Sequence, residues 1–186
     1  MNEGQVPADI IAFWREAGPD RWFEKDLAFD DEVRCRFLAL HEAAAAGKLT
    51  DWETTAEGAL ALLILLDQLP RNMFRGQARA FATDPLARAI ASRAILNGFD
   101  GAFHDLRGFF YLPFTHSEYS DDQERAIKLY RAHNDADGLK WAELHADIIR
   151  RFGRFPHRNA ILGRVSTPKE QKFLDEGGFT GVTEMS

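Results

Sequence analysis

Two polar segments of similar composition hold the side chains best suited to chemistry in this chain. The first polar segment runs from Asp67 to Gly76 (DQLPRNMFRG) and the second from Arg154 to Arg164 (RFPHRNAILGR). Each places Arg-Asn just after a proline, ends in a Gly/Arg pair and follows a long helical pattern. Charged side chains are rarely buried without a partner, so arginines among bulky apolar residues indicate a binding site or a network of internal ion pairs.

The first polar segment follows the most apolar stretch of the chain. Asp67 is predicted near the C-terminal end of a buried helix, where the helix dipole disfavours an anion, so a cationic partner is expected. Arg71 and Arg75 follow four and eight residues later. Pro70 is expected to interrupt the helix, which would place Arg71 and Asn72 at the start of a new turn. Free N–H groups at such a turn, together with an arginine, can hold an anion.

The second polar segment repeats this pattern after a helix predicted to end near Gly153. Pro156 restarts the chain, and His157, Arg158 and Asn159 are predicted in the first turn after it, where an arginine can again hold an anion. The alternative is that both segments only cap and lock helix ends. The expected binding residues are Asp67, Arg71, Asn72, Arg75, Arg158, Asn159 and Arg164.

A third cluster lies in the aromatic segment 112–118 (LPFTHSE). His116 and Glu118 stand two residues apart, a spacing that suits an acid/base pair. The alternative is that Glu118 only binds the backbone near the start of the next helix. His157 is a further candidate for proton transfer, and His145 is expected to face the same pocket from the preceding helix.

Composition and motifs exclude several classes of function. The net charge of -6 argues against a nucleic-acid coat. A lone cysteine, Cys35, excludes an internal disulfide and a multi-cysteine zinc site, and is expected to be a half-buried apolar residue. The six histidines lack zinc-helix spacing, so no metal or cofactor is expected, although a haem or metal bound by scattered histidines is a third hypothesis. Residues 1–9 lack signal-peptide character and residues 59–66 are too few to span a bilayer, so the cytoplasm is expected.

The periodicity of the chain is helical nearly throughout. No convincing two-residue alternation occurs, and leucine with alanine in the apolar stretch favours helix over its rival, a buried strand. The fold class is therefore all-α, with antiparallel helix pairs stacked in a tetratricopeptide-repeat-like array in one domain over residues 1–186. Residues 177–186 are expected to be irregular. Helices are predicted over residues 7–17, 29–47, 51–69, 84–97, 103–111, 120–134, 137–152 and 168–176.

The chain closely resembles a bacterial family of unknown function, DUF924. The resemblance covers nearly the whole chain and is carried by these segments: Trp22-Phe23, 65–72 (LLDQLPRN), 81–84 (FATD), 112–118 (LPFTHSE), 151–159 (RFGRFPHRN), Leu162-Gly163-Arg164 and Ser166-Thr167-Pro168. It implies a helical fold similar to tetratricopeptide-repeat proteins. It supplies no established activity, so no catalytic role is carried over, but it implies that the polar segments belong together.

Two functions fit these observations. The leading hypothesis is a protein that binds a small anion, such as a carboxylate or phosphate compound or a peptide carboxylate, with or without a reaction. Replacing Arg158 by alanine would then abolish binding and leave the fold intact. The alternative is a module that binds other proteins in a groove between helices, with the polar segments as structural locks. Exposed aromatic residues would serve a homodimer interface.

Overall fold

Every regular element in residues 6–181, the range that the structure describes, is helical in this computed structural model. This confirms the all-α prediction, whereas the tetratricopeptide-like stacking stays a prediction. No helix in that range is long and apolar enough to cross a membrane. The α-helices are α1 (Pro7–Ala17), α2 (Pro19–Trp22), α3 (Leu27–Ala45), α4 (Ala56–Leu63), α5 (Leu69–Met73), α6 (Asp84–Leu96), α7 (Leu112–Thr115), α8 (Ser120–Ala132), α9 (Ala136–Phe152) and α10 (Pro168–Asp175).

The centre of the fold is α4 and the π-helical turn that continues it, Ile64–Gln68. The sequence predicts a helix buried on all sides here, and residues 58–68 are all buried. Helices α1 and α6 pack directly against α4, and α8 and α9 form a helical hairpin beyond them. Burial on every side explains why this stretch lacks the polar face of a surface helix.

Pro70 does not end the central helix, so that prediction is wrong. The N–H of Leu69 donates to the carbonyl of Ile64, five residues back, and the chain then continues as α5 through Pro70. Proline is tolerated there because it lies in the first turn of α5, where the π-turn has already changed the hydrogen-bond register. The wider turn keeps the polar residues of the first segment on a continuous helical path.

Two buried carbonyls of the π-turn have side-chain hydrogen-bond partners. His41 on α3 lies with Nδ1 2.9 Å from the oxygen of Leu65, and the Thr83 hydroxyl donates to the oxygen of Leu66 at 2.6 Å. Burial lowers the pKa of His41. The neutral ring therefore donates from Nδ1. These bonds satisfy backbone groups that would otherwise be costly inside the protein.

Four local predictions differ from the structure. Helix α3 begins at Leu27, two residues before the predicted start. It begins there because the Asp26 carboxylate accepts hydrogen bonds from the N–H groups of residues 28 and 29. Cys35 is exposed on this helix and is not half-buried. Segment 103–111 forms no α-helix: it contains a 3-10 turn, and Pro113 lies in the first turn of the short α7. The capping box predicted at Ser120 is absent, because no side chain caps α8.

The capping box predicted at the start of α10 is present. Thr167 Oγ1 accepts from the N–H of Glu170 at 3.3 Å, and the Glu170 carboxylate accepts from the N–H of Thr167 at 2.7 Å. Arg154 of the second polar segment binds the same carboxylate at 2.6 and 2.8 Å. This ion pair, assisted by the Thr167 bonds, lowers the pKa of Glu170 to about 2.

We expect Glu170→Gln to lose stability at neutral pH and to match the parent protein in strong acid. A carboxyl whose pKa is lowered on folding stabilises the fold above its unfolded pKa of about 4.3, and this stabilisation disappears as the pH falls toward 2. Because Arg154 is partly exposed, we expect a loss on the order of 1–2 kcal/mol at pH 7. Urea unfolding at pH 7 and at pH 2.5 tests this, and an equal loss at both pH values would contradict it.

Candidate functional site

A histidine and a buried aspartate form a dyad at the end of the central helix. Asp67 lies in the π-turn and is fully buried, and His116 follows directly after α7. His116 Nδ1 is 3.0 Å from each of the Asp67 carboxylate oxygens. In the neutral imidazole this arrangement makes Nδ1 the donor and leaves Nε2 as the acceptor. Burial acts to raise the pKa of Asp67, but the charges of His116 and Arg71 outweigh burial and hold it below its ordinary value.

Behind the dyad, the two polar segments meet at a second buried carboxylate, Asp84. Arg71 binds Asp84 through both nitrogens, at 2.8 and 3.0 Å, and lies 3.7 Å from Asp67. Arg158 approaches the same carboxylate at 3.5 Å. In the sequence, Asp84 is predicted only as the first residue of a helix over 84–97. The first residue of a helix is a favourable place for an anion, and this is the signal that marks it.

Arg158 is poorly satisfied in its buried position. Its side chain is 8% exposed and lies between the rings of Phe81 and Phe155, 4.5 and 4.7 Å from their centroids. Its Nε is buried and has no hydrogen-bond partner among the described residues. Burial, together with the nearby charge of Arg71, lowers the pKa of Arg158 to about 10. By contrast, two carboxylates raise the pKa of Arg71 despite its burial.

The outer residues of the first polar segment form an internal lock. Asn72 Nδ2 donates to Asp30 at 2.9 Å, and Arg75 binds the same carboxylate at 2.6 and 2.8 Å. Asp30 belongs to α3 and is 4% exposed, so this cluster fastens α5 to α3. The structure therefore separates Asn72 and Arg75 from the dyad, although the sequence places them in the same binding site.

Glu118 and the end of the second polar segment form another lock. Arg164 binds the Glu118 carboxylate at 2.7 and 3.0 Å, and the N–H of Phe155 donates to it at 2.7 Å. Asn159 donates from Nδ2 to Ser166 at 3.1 Å. Glu118 thus binds the backbone and an arginine, and the partner of His116 is Asp67, 49 residues away along the chain.

His157 lies outside this dyad. It packs against the rings of Phe155 and Phe179, and burial, reinforced by the charge of Arg158, lowers its pKa to about 3. Its Nδ1 has no hydrogen-bond partner among residues 6–181. An imidazole that stays neutral across the physiological range does not serve as a reservoir of protons.

The dyad opens onto a cavity of about 680 Å³ that includes His116 in its wall. His145 of α9 lines this cavity, with its ring 6.5 Å from that of His116, whereas the sequence placed it in the pocket of the second polar segment, which does not line the cavity. Its Nδ1 lies 2.7 Å from the carbonyl of Trp141, and burial lowers its pKa to about 4. The aromatic part of the wall consists of Trp22, Phe23, Phe109, Tyr130, Trp141 and Phe179. This size is typical of a pocket for a small organic molecule.

The arginines of the polar segments do not line this cavity. Arg71 and Arg158 are the ones that approach the dyad from behind, through Asp67 and Asp84. Within the described residues, no three His, Cys, Asp or Glu side chains are grouped as a metal site would require.

Within residues 6–181 the protein is all-helical, with a buried Asp–His dyad beside an aromatic cavity. A family model described as a bacterial protein of unknown function, DUF924, matches residues 10–178, and the chain belongs to this family. A solved structure titled as a protein of unknown function, ATU0120 from Agrobacterium tumefaciens, is similar. It shares 53% sequence identity, with a TM-score of 0.89, over 92% of this chain and 97% of that one. None of the curated proteins matches this chain.

Proposed function

We propose that this protein binds a small organic molecule in the aromatic cavity and that His116 transfers a proton to or from it. The observation that carries the proposal is the Asp67–His116 dyad, with Nδ1 held 3.0 Å from both carboxylate oxygens and the ring in the cavity wall. A buried carboxylate that fixes the tautomer and orientation of an imidazole is the arrangement that enzymes use for general acid–base catalysis.

The position of the dyad in a π-turn supports this proposal. Residues 64–68 depart from regular α-helix, and the fold supplies side-chain donors from His41 and Thr83 to make the departure stable. Such turns are rare and frequently occur at functional sites. Arg71 pairs with the buried carboxylates of both Asp67 and Asp84. Several buried charges are therefore concentrated at this end of the central helix.

The two sequence hypotheses apply to different parts of the polar segments. The contacts of Asn72, Arg75 and Arg164 favour the role of structural locks. The contacts of His116 and Asp67 favour a reactive site. The clamping of an anion by arginines stays a prediction, and Arg158 is the residue whose unsatisfied Nε is compatible with it.

The test is a thermal-shift screen of small metabolites, followed by turnover measurements on each compound that stabilises the protein. A ligand of the native state raises the melting temperature by mass action. We expect turnover of a stabilising compound to fall by about 100-fold or more in His116→Gln, because general acid–base catalysis contributes on the order of 100- to 10,000-fold. Asp67→Asn is expected to have a similar effect on rate, because an amide no longer fixes the tautomer.

The matched control is His104→Gln. His104 also lines the cavity, but its Nδ1 lies 2.8 Å from Arg107 and it has no carboxylate partner at hydrogen-bond distance. This variant should keep most of the turnover. Full turnover in His116→Gln would overturn the proposed acid–base role, and stabilising compounds that bind equally well when Trp141 is replaced by alanine would overturn the proposed cavity.

A further inference from the structure

We infer that the cavity takes a cationic ligand, an amine with an aromatic or other flat apolar body. The inference rests on the proposed function, because it names the class of molecule that would lie against His116. The anion predicted from the sequence would be held by arginines, none of which lines this cavity, so the inference concerns the cavity alone.

The charges around the cavity are the first argument. Five carboxylates line it, whereas its described lining contains neither lysine nor arginine. Asp105 is paired with Arg15, and Asp135 caps α9 by accepting from the N–H of Gly138. The other three, Asp20, Glu24 and Asp137, are exposed and form no ion pair or side-chain hydrogen bond within residues 6–181. Low-dielectric walls focus such a field, so the cavity attracts cations and repels anions.

The aromatic wall is the second, independent argument. Trp141 and Phe23 are 36% and 42% exposed, which is unusual for rings of this size, and both line the cavity with Trp22 and Phe109. Ring faces attract an ammonium group through their quadrupole and also bury an apolar body. Aromatic rings beside carboxylates are a common arrangement for the recognition of organic amines.

The floor of the cavity supplies acceptors for an ammonium N–H. Asp67 holds the Nδ1 of His116, so its Nε2 accepts when the ring is neutral and donates when the ring is protonated. Burial, reinforced by the charges of His116 and Arg158, lowers the pKa of His145 to about 4 and keeps the His145 ring neutral. With its Nδ1 donating to Trp141, His145 also presents an accepting Nε2, and its side chain is more than nine-tenths buried. The floor thus presents at least one buried acceptor, the Nε2 of His145, to an ammonium group.

Titration calorimetry with three molecules that share an indole body tests the charge directly: tryptamine, 3-methylindole and indole-3-propionate. At neutral pH these are a cation, a neutral molecule and an anion. We expect tryptamine to bind at least about 10-fold more tightly than indole-3-propionate, which corresponds to about 1.4 kcal/mol. Raising the salt concentration should selectively weaken the binding of tryptamine, because salt screens its attraction to the carboxylates.

Matched double variants separate the cavity carboxylates from the net charge. Asp20→Asn/Glu24→Gln removes two carboxylates that line the cavity and should weaken tryptamine by about 5- to 10-fold. Asp31→Asn/Glu124→Gln makes the same chemical change at two carboxylates that are 75% and 70% exposed and lie outside the cavity. That variant should change the affinity by less than about 2-fold.

Each outcome decides the inference. Tighter binding of indole-3-propionate, or equal binding of all three compounds, overturns the cationic preference and leaves the proposed acid–base function standing. If none of the three compounds binds, while a metabolite from the thermal-shift screen is turned over with the help of His116, the cationic preference is overturned and the acid–base function stands. Full turnover of the stabilising compounds in His116→Gln overturns the proposed function, whichever of the three indole compounds binds.

Discussion

Replacing Arg71 by methionine should lower the free energy of unfolding by about 3–5 kcal/mol, because it leaves the buried Asp84 carboxylate without its main cation and removes one of the two basic partners of Asp67. Arg71 binds Asp84 through both nitrogens and lies 3.7 Å from Asp67. Methionine keeps much of the apolar volume, so the loss reports the charge and its hydrogen bonds. Urea or thermal unfolding measures it.

The control for this prediction is Arg79→Met. Arg79 is 49% exposed and pairs with Glu42, which is 55% exposed, and a surface pair of this kind contributes at most about 1 kcal/mol. The pH dependence gives a second check. Because folding lowers the pKa of Asp67, its ionised carboxylate stabilises the fold above about pH 4, and this stabilisation is lost in acid. The difference in the free energy of unfolding between Arg71→Met and the parent should therefore become smaller below pH 4. A loss under 1 kcal/mol, or a gap that widens in acid, would show that Arg71 does not neutralise this pair.

Replacing Arg158 by methionine should have the opposite sign and stabilise the fold by about 1–2 kcal/mol. Folding lowers the pKa of Arg158 from 12.5 to about 10, so its positive charge is a cost to the folded state at every pH below about 10. Asp84 keeps the paired nitrogens of Arg71 after the change. A methionine fits the space between Phe81 and Phe155 because thioethers pack well against rings.

The matched control lies in the same polar segment. Arg164 makes two bonds to Glu118 and one to the carbonyl of Phe155, so Arg164→Met should destabilise the fold by about 1–3 kcal/mol. Parallel melting curves of the two variants and the parent measure both effects. If Arg158→Met is destabilised by more than 1 kcal/mol, Arg158 is a structural lock like Arg164. A stabilised variant would mean that the residue is kept for something other than folding.

The helices were predictable where local chemistry decides them. The box at Thr167 and Glu170 marks the start of α10, and the cap at Gly153 marks the end of α9, because these depend on residues a few positions apart. The π-turn was not predictable, since it depends on donors from His41 and Thr83 that are distant in sequence. The exposure of Cys35 was not predictable, because an apolar stripe on a helix does not show which neighbouring side chains the rest of the protein buries.

The candidate site was predictable in its members and not in its pairings. Asp67, Arg71, Arg158 and His116 all carry the types expected of a polar site, and the structure brings them together. Periodicity gives no information on which carboxylate meets which cation across 49 or 74 residues. The sequence therefore left His116 and Glu118 as an acid/base pair or Glu118 as a residue that only binds backbone, and it did not indicate Asp84, the residue on which both arginines converge.

The π-turn also gives the central helix one place where its length can change. A π-turn holds one more residue than regular α-helix and absorbs it by local widening, so the helices on either side keep their orientation. Removal of a single residue from 64–66 would therefore leave α4 and α5 in place, together with the pairing of Arg71 with Asp84, and would alter the backbone around Asp67 alone. A one-residue deletion thus separates the dyad from the ion pairs behind it, which no substitution of a charged side chain does.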